Sequence, residues 1–290
     1  MKFGSVPNPE VIDFTLPPEH PDSAFNGSKK KPTIYVGCAK WNRQDLKGFY
    51  PRGTKDELTY YSSQFNSIEL NATFYNRFDK GQIETWKSKT PQEFKFFPKV
   101  SQTISHFKRL KDTRLEVEEY CDIISLFEEK LGMVFLQLID NFRRERNFDN
   151  LKKFVEEWPL AIPLAVEVRS NDWFEDPAYF EFLEVNNISH IITDTGGRRD
   201  LLHMRLTTPK AFIRYVGTNH PTDYARLDDW VKRIGEWIDK GIDEIYFFVH
   251  QNMEKSSPLL SAYFIEKLNK DLGYSLKIPN AGSQTFESLF

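Results

Sequence analysis

Two cysteines, Cys38 and Cys121, are all that this chain of 290 residues contains. Two cysteines make no disulfide framework and suit a reducing compartment. No apolar run is long enough to cross a membrane. The opening Met1-Lys2-Phe3-Gly4-Ser5-Val6-Pro7 lacks the apolar core of a secretory signal, so the cytoplasm is the expected location. The fourteen glycines nowhere form a Gly-x-Gly-x-x-Gly or Walker-type loop, which counts against nucleotide-binding open sheets. The six histidines are scattered, with no His-x-His or His-Glu-x-x-His spacing. A formal net charge of −3 gives no global bias towards nucleic acid.

What the chain does have is material for a core: 40% of it is hydrophobic and 15% aromatic, including 25 phenylalanines. Residues 1–33 carry many prolines and the Lys29-Lys30-Lys31 run without periodicity, and read as a poorly ordered arm or a strap over the surface. Beyond them, short apolar runs alternate with amphipathic stretches. Strands are expected at Ile34–Cys38, Ser67–Thr73, Phe94–Lys99, Met133–Leu138, Pro163–Arg169, His190–Asp194, Phe212–Val216 and Ile245–His250. Thr54-Lys55-Asp56-Glu57 and Thr113-Arg114-Leu115-Glu116 read as capping boxes. Asp176 before Pro177 reads as an N-cap, and Gly132 and Gly241 as helix C-terminal glycines. Leu227, Trp230, Val231, Ile234, Trp237 and Ile238 form a helical stripe. Strands each followed by a helix predict an α/β fold of the (β/α)₈ TIM-barrel type over residues 34–272, with a tail at 273–290. The sixth helix, around Arg198–Thr207, is the least periodic, and an open doubly wound sheet is the competing architecture.

In such a barrel the site lies at the C-terminal strand ends. In Ser67–Tyr75, Ile68, Leu70 and Ala72 alternate with Glu69, Asn71 and Thr73, so a strand there presents a carboxylate, an amide and a hydroxyl on one face. Buried, these groups need partners or a ligand. The other ends carry Lys99, Gln137, Glu167 with Arg169, Asp194, Arg214, and His250 with Asn252. Such ends are often polar for structural reasons alone. Jointly they describe a mouth of mixed charge suited to a small polar or anionic ligand. Glu69 and Glu167 could act as acid and base, and a desolvated Lys99 as base or imine-forming amine. Against the imine stands the readier pairing of Lys99 with Glu69. His106 and the adjacent Lys108-Arg109 could grip phosphate or carboxylate, while Trp41, Tyr75, Trp173 and Tyr224 could stack on a ring or simply pack loops. No cofactor is predicted; a divalent metal held by Glu69, Glu167, Asp194 and His250 is the minor alternative. Cys38 reads as a small core residue.

Ordered motifs along the chain resemble the domain of unknown function 72 (YecE-like) family. They are Val36-Gly37-Cys38-Ala39-Lys40-Trp41, Ile68-Glu69-Leu70-Asn71-Ala72-Thr73-Phe74-Tyr75, Lys99 with Ile104-Ser105-His106, Leu136-Gln137-Leu138 with Phe142, Glu167-Val168-Arg169 with Trp173, and Arg214-Tyr215-Val216-Gly217 with Tyr224. Lys40 departs from the small residue that the family places before the tryptophan, and only Asn252 remains of its paired asparagines. The resemblance spans roughly residues 34–270 and implies a TIM-type barrel without implying an activity.

The expected function is therefore an enzyme acting on a small polar or phosphorylated substrate. Glu69, Lys99 and Glu167 are its chemical core, Arg169, Arg214 and His106 bind charge, and Asn71, Thr73, Gln137 and Asn252 orient. The alternatives are a nucleic-acid-binding or -processing protein using Lys108, Arg109, Arg198 and Arg199, and a non-catalytic ligand-binding barrel. The oligomeric state is left open.

Overall fold

Strands and helices alternate along the chain in the computed structural model, which describes residues 4–280. The strands are β1 (Thr33–Cys38), β2 (Ser67–Leu70), β3 (Lys95–Pro98), β4 (Val134–Gln137), β5 (Leu164–Glu167), β6 (Ser189–His190), β7 (Ile192–Thr195), β8 (Lys210–Val216) and β9 (Glu244–His250). The helices are α1 (Glu57–Gln64), α2 (Ala72–Tyr75), α3 (Lys80–Ser88), α4 (Arg114–Ser125), α5 (Arg144–Glu157), α6 (Pro177–Val185), α7 (Thr222–Lys240) and α8 (Ser257–Leu272). Every strand pair is parallel. The fold is α/β, and its strands form three parallel sheets, ordered β1-β9-β8-β7, β2-β3 and β4-β5-β6. The first strand thus pairs with the last, from Thr33 beside Glu244 to Cys38 beside Val249.

These ladders do not run into one closed ring. Between β1 and β2, side chains replace backbone partners. Asn66 Oδ1 accepts from Val36 N at 2.9 Å while its Nδ2 donates to the Ile34 carbonyl at 2.9 Å. Tyr61 Oη accepts from Cys38 N at 2.7 Å and donates to the Ser67 carbonyl at 3.0 Å. Gly37 permits the approach, because a Cβ there would stand 2.4 Å from the Ser67 carbonyl oxygen. Between β3 and β4 only isolated bridges form, at Phe96 with Leu131 and Lys99 with Phe135. The predicted strand His190–Asp194 is split at Ile191 into β6 and β7, and Ile191 N bonds the Val166 carbonyl at 2.9 Å.

Two predicted elements differ. The strand expected through Thr73 stops at Leu70: Asn71 turns into the helical region and starts α2, with Phe74 N on the Asn71 carbonyl. The weakly periodic sixth helix is a single 3₁₀ turn, Arg199–Leu201, in an otherwise irregular connection.

Side chains from all three sheets meet in one apolar layer: Tyr35, Phe97, Met133, Phe135, Ala165, Phe212, Tyr246 and Phe248, with Ile191. Outside the sheets, the buried faces of the helices pack on the opposite strand faces, as Leu227, Trp230, Val231, Ile234 and Trp237 of α7 do. Ahead of β1, the arm runs against α7 and β8. Gly4 O accepts from Asn252 Nδ2, Phe14 lies under Arg226, the Pro17 carbonyl accepts from Arg233, and Asn26 bonds Asp243. After α8, Tyr274 Oη donates to the Pro32 carbonyl at 3.0 Å. The rest of the predicted tail, from 281 on, lies outside the described residues.

Candidate functional site

Side chains two residues apart on a strand share a face. Two residues beyond the apolar layer, five strands therefore point their next inward side chain at a common place. Phe97 is followed by Lys99, Phe135 by Gln137, Ala165 by Glu167, Phe212 by Arg214 and Phe248 by His250. Glu69 joins them from β2.

Arg214 is the hub. Its Nε and Nη2 fork onto Glu69 Oε2 and Oε1 at 3.0 and 2.9 Å, and its Nη1 reaches Glu167 Oε2 at 2.6 Å. Asn71, at the start of α2, turns back to donate to Glu69 Oε1 at 2.8 Å, and His250 Nε2 meets Glu69 Oε2 at 2.8 Å. Glu167 also holds Arg169 Nε at 2.5 Å and Gln137 Nε2 at 3.1 Å. Gln137 passes the chain on, since its Oε1 accepts from Lys99 Nζ at 2.7 Å. Both carboxylates, Glu69 and Glu167, are buried.

The charges are tuned by this arrangement. Burial alone would raise both carboxyls; for Glu69, Arg214 and His250 more than offset it and hold the group well below the ordinary value. For Glu167, Arg169 and Arg214 do the same and bring it to about 2. Lys99 goes the other way. Burial and the Arg214 guanidinium outweigh the two carboxylates and push its amine down to about 7. Its Nζ lies 4.2 Å from the centroid of the Phe74 ring, on which His106 also packs edge-on at 4.8 Å. Burial and the nearby Lys99 push His106 down to about 4, so its imidazole is neutral near pH 7 and adds a hydrogen-bonding group rather than a charge. Its Nδ1 is 2.9 Å from Ser105 Oγ.

Of the predicted site residues, Glu69, Asn71, Lys99, Gln137, Glu167, Arg169 and Arg214 are brought into one network, and His106 stands beside it. Thr73 fixes the backbone beneath: its hydroxyl donates to the Leu70 and Lys99 carbonyls and accepts from Lys99 N at 3.0 Å. Asp194 is not brought in. It is buried on the outer face of β7, held by Arg226 at 2.9 Å, Trp230 Nε1 at 2.8 Å and Arg199. Trp173 is fully buried and donates to the Phe142 carbonyl at 2.8 Å. Trp41 packs edge-on against Trp86, Tyr224 packs against Tyr263, Tyr75 is exposed, and Asn252 binds the arm through Gly4. The metal alternative loses a donor with Asp194, and among the described residues no three His, Cys, Asp or Glu side chains cluster to hold an ion. The basic residues of the nucleic-acid alternative are engaged: Lys108 with Glu116, Arg109 with Asn141, Arg198 with Asp200 and Arg199 with Asp194. Burial pushes the Cys38 thiol up, in keeping with a core residue.

Two inward residues were left out of the predicted set. His250 was noted only as a strand end and metal donor, yet it binds Glu69 directly. Thr193, one position before Asp194, is buried with an unpartnered hydroxyl among the described residues. Counting by two from Ile191 of the apolar layer would have selected Thr193 over Asp194. A cavity of about 400 Å³, between α2, α4 and the π-helical turn Thr103–Phe107, adjoins the site through Thr73. Among the described residues no helix is long and apolar enough to cross a membrane.

Known proteins resemble this chain in sequence and in fold. The family described as protein of unknown function DUF72 matches residues 35–282. The Escherichia coli protein named UPF0759 protein YecE is 25% identical over 283 residues, covering 89% of this chain and 100% of that protein. UPF0759 protein YunF of Bacillus subtilis is 28% identical over 236 residues, covering 76% of this chain and 80% of that one. A crystal structure of a DUF72 family protein from Thermotoga maritima superposes with a TM-score of 0.68 at 27% identity, covering 82% of this chain and 100% of its own. One from Enterococcus faecalis superposes at 0.67 with 18% identity, covering 84% of this chain and 99% of its own, a likeness of fold alone.

Proposed function

We propose, on the premise that this chain belongs to the DUF72 family, that it is an enzyme acting on a small anionic substrate at the C-terminal ends of its strands. The setting for this reading is a (β/α)₈ barrel spanning residues 34–272. Four observations support the barrel: strands parallel throughout, first beside last, side-chain stitches between β1 and β2, and one apolar layer shared by the three sheets. In a barrel the network of Arg214, Glu69, Glu167, Gln137 and Lys99 faces the catalytic end.

One observation carries the functional reading. Lys99 is bound to a neutral amide, while both carboxylates are taken by arginines. An amine near 7 exchanges its proton at neutral pH and serves as a general acid or base. Glu69 and Glu167 stay ionised, fix Arg214 and Arg169, and orient Gln137. Three cationic side chains, Lys99, Arg169 and Arg214, face two carboxylates, so the mouth favours an anion when Lys99 is protonated.

The test is turnover and binding across a panel of phosphate monoesters and 2-oxo acids, with Glu69→Gln and Lys99→Met beside the parent. The rate on any accepted substrate should fall by about a hundredfold or more in both variants. Unchanged binding and turnover in both would overturn the reading. Tight binding with no turnover by the parent would instead favour a ligand-binding barrel.

A further inference from the structure

We infer that Lys99 is a nucleophile that forms an imine with an aldehyde or ketone carrying a neighbouring carboxylate or phosphate. The inference rests on the proposed anion-binding mouth and names the substrate class for it.

The geometry is specific. Gln137 cannot turn its amide over without loss, because its Nε2 donates to Glu167 Oε2 at 3.1 Å. Its Oε1 is thereby fixed as the acceptor for Lys99 Nζ at 2.7 Å. An amide oxygen orients an amine without stabilising the ammonium as a carboxylate would. Among the described residues Lys99 makes no ion pair, and Glu69, its expected partner, is instead forked by Arg214 and capped by His250. Below the amine lies the Phe74 ring, and the Phe135 ring centroid is 5.9 Å away. A desolvated amine beside guanidinium groups is the arrangement that makes lysine nucleophilic at neutral pH.

The step balances without a further reagent. The nitrogen lone pair attacks the carbonyl carbon, and the carbonyl π pair moves to oxygen. Both amine hydrogens leave with that oxygen as water while the carbon–nitrogen double bond forms, so amine and carbonyl give imine and water. Arg169 and Arg214 are matched by Glu167 and Glu69, so the anionic group of the substrate balances the positive charge that Lys99 carries when protonated and that its imine carries when protonated. His106, neutral, packs on the same Phe74 ring as the amine.

The experiment uses the whole chain, glyoxylate as an anionic aldehyde, acetaldehyde as a neutral one, and cyanoborohydride to trap the imine. Peptide mapping by mass spectrometry follows the modification from pH 6 to 10. Glyoxylate should modify Lys99 at pH 7 at least tenfold faster than surface lysines, with a half-maximal rate near pH 7. Lys99→Arg, checked by its melting curve, should lose that adduct alone. No Lys99 adduct, or one following the pH dependence of surface lysines, overturns the inference. If glyoxylate then still raises the melting temperature, the imine falls and the anion-binding mouth stands. If acetaldehyde labels Lys99 as fast as glyoxylate, the nucleophile stands and the anionic substrate falls.

Discussion

A protonated lysine buried against an amide and an aromatic ring destabilises the fold that contains it. The amine of Lys99 titrates near 7 in the folded chain and near 10.5 when unfolded. Between those values the unfolded chain holds a proton that the folded chain has released, so stability from this group rises with pH. Below 7 both states are protonated and the penalty is complete. Lys99→Met should therefore be more stable than the parent at pH 6, by an amount on the order of a few kcal/mol. The advantage should shrink steadily towards pH 10, as read from urea unfolding across that range. A stability difference that stays constant would show that the amine is not perturbed. The lowered Glu167 works in the opposite sense: its contribution is present above 4.5 and is lost as pH falls towards 2. Most of this cluster was legible in the sequence, because Lys99, Gln137, Glu167 and Arg214 interrupt apolar strands at their ends. The face of Asp194 was not, because only the structure places Ile191 in the apolar layer from which the count by two starts. Trp173 and Tyr224 carried no signal to separate a ligand platform from packing, since an aromatic side chain serves both.

At the scale of elements, predicted starts and stops were met unevenly. Gly241 was expected to end the helix that became α7, and it does, at φ 89°. Asp176 caps α6 through Ala178 N, as its place before Pro177 suggested. The first capping box is displaced: Asp56, not Thr54, is the N-cap of α1, because its carboxylate reaches Thr59 N at 2.8 Å while Thr54 turns back to the Pro51 carbonyl. Thr113 sits at the start of α4 as expected, yet its hydroxyl makes no cap bond. Gly132 ends no α-helix; it brings its N–H to the Phe96 carbonyl at 2.7 Å, where a Cβ would stand 2.9 Å from that oxygen. Gly241 offers a sharp test, since a Cβ there would lie 2.3 Å from Ser28 N, in the arm. Gly53 shares the same backbone region at φ 86° but has nothing within 4 Å of such a Cβ. Gly53→Ala should cost about 1 kcal/mol through backbone strain alone. Gly241→Ala should cost clearly more, measured as the shift in the urea midpoint. Equal shifts would mean that the arm yields freely.

Across the whole molecule, the α/β class and the alternation of strand and helix were readable, because each apolar run is followed by an amphipathic stretch. The interruptions in the ladder were not, for they depend on side chains such as Asn66 and Tyr61 standing in for backbone groups. Nor was the path of the arm, which has no periodicity and is held by single contacts distributed over α7, β8 and the segment after β9. Removal of residues 1–32 would take Phe14 from Arg226, and Asn26 from Asp243. The melting temperature should fall, at about 2–4 °C for each kcal/mol lost, and an unchanged melting curve would show the arm to be energetically idle. The pairing of β1 with β9 reaches further still. Synthesis proceeds from the amino end, so Thr33–Cys38 leaves the ribosome long before Glu244–His250 exists to bond it. Through that interval β1 presents an unpaired, largely apolar edge, open to other nascent chains. Pairing of β1 must await the synthesis of β9, and a contact so distant in the chain is slow to form.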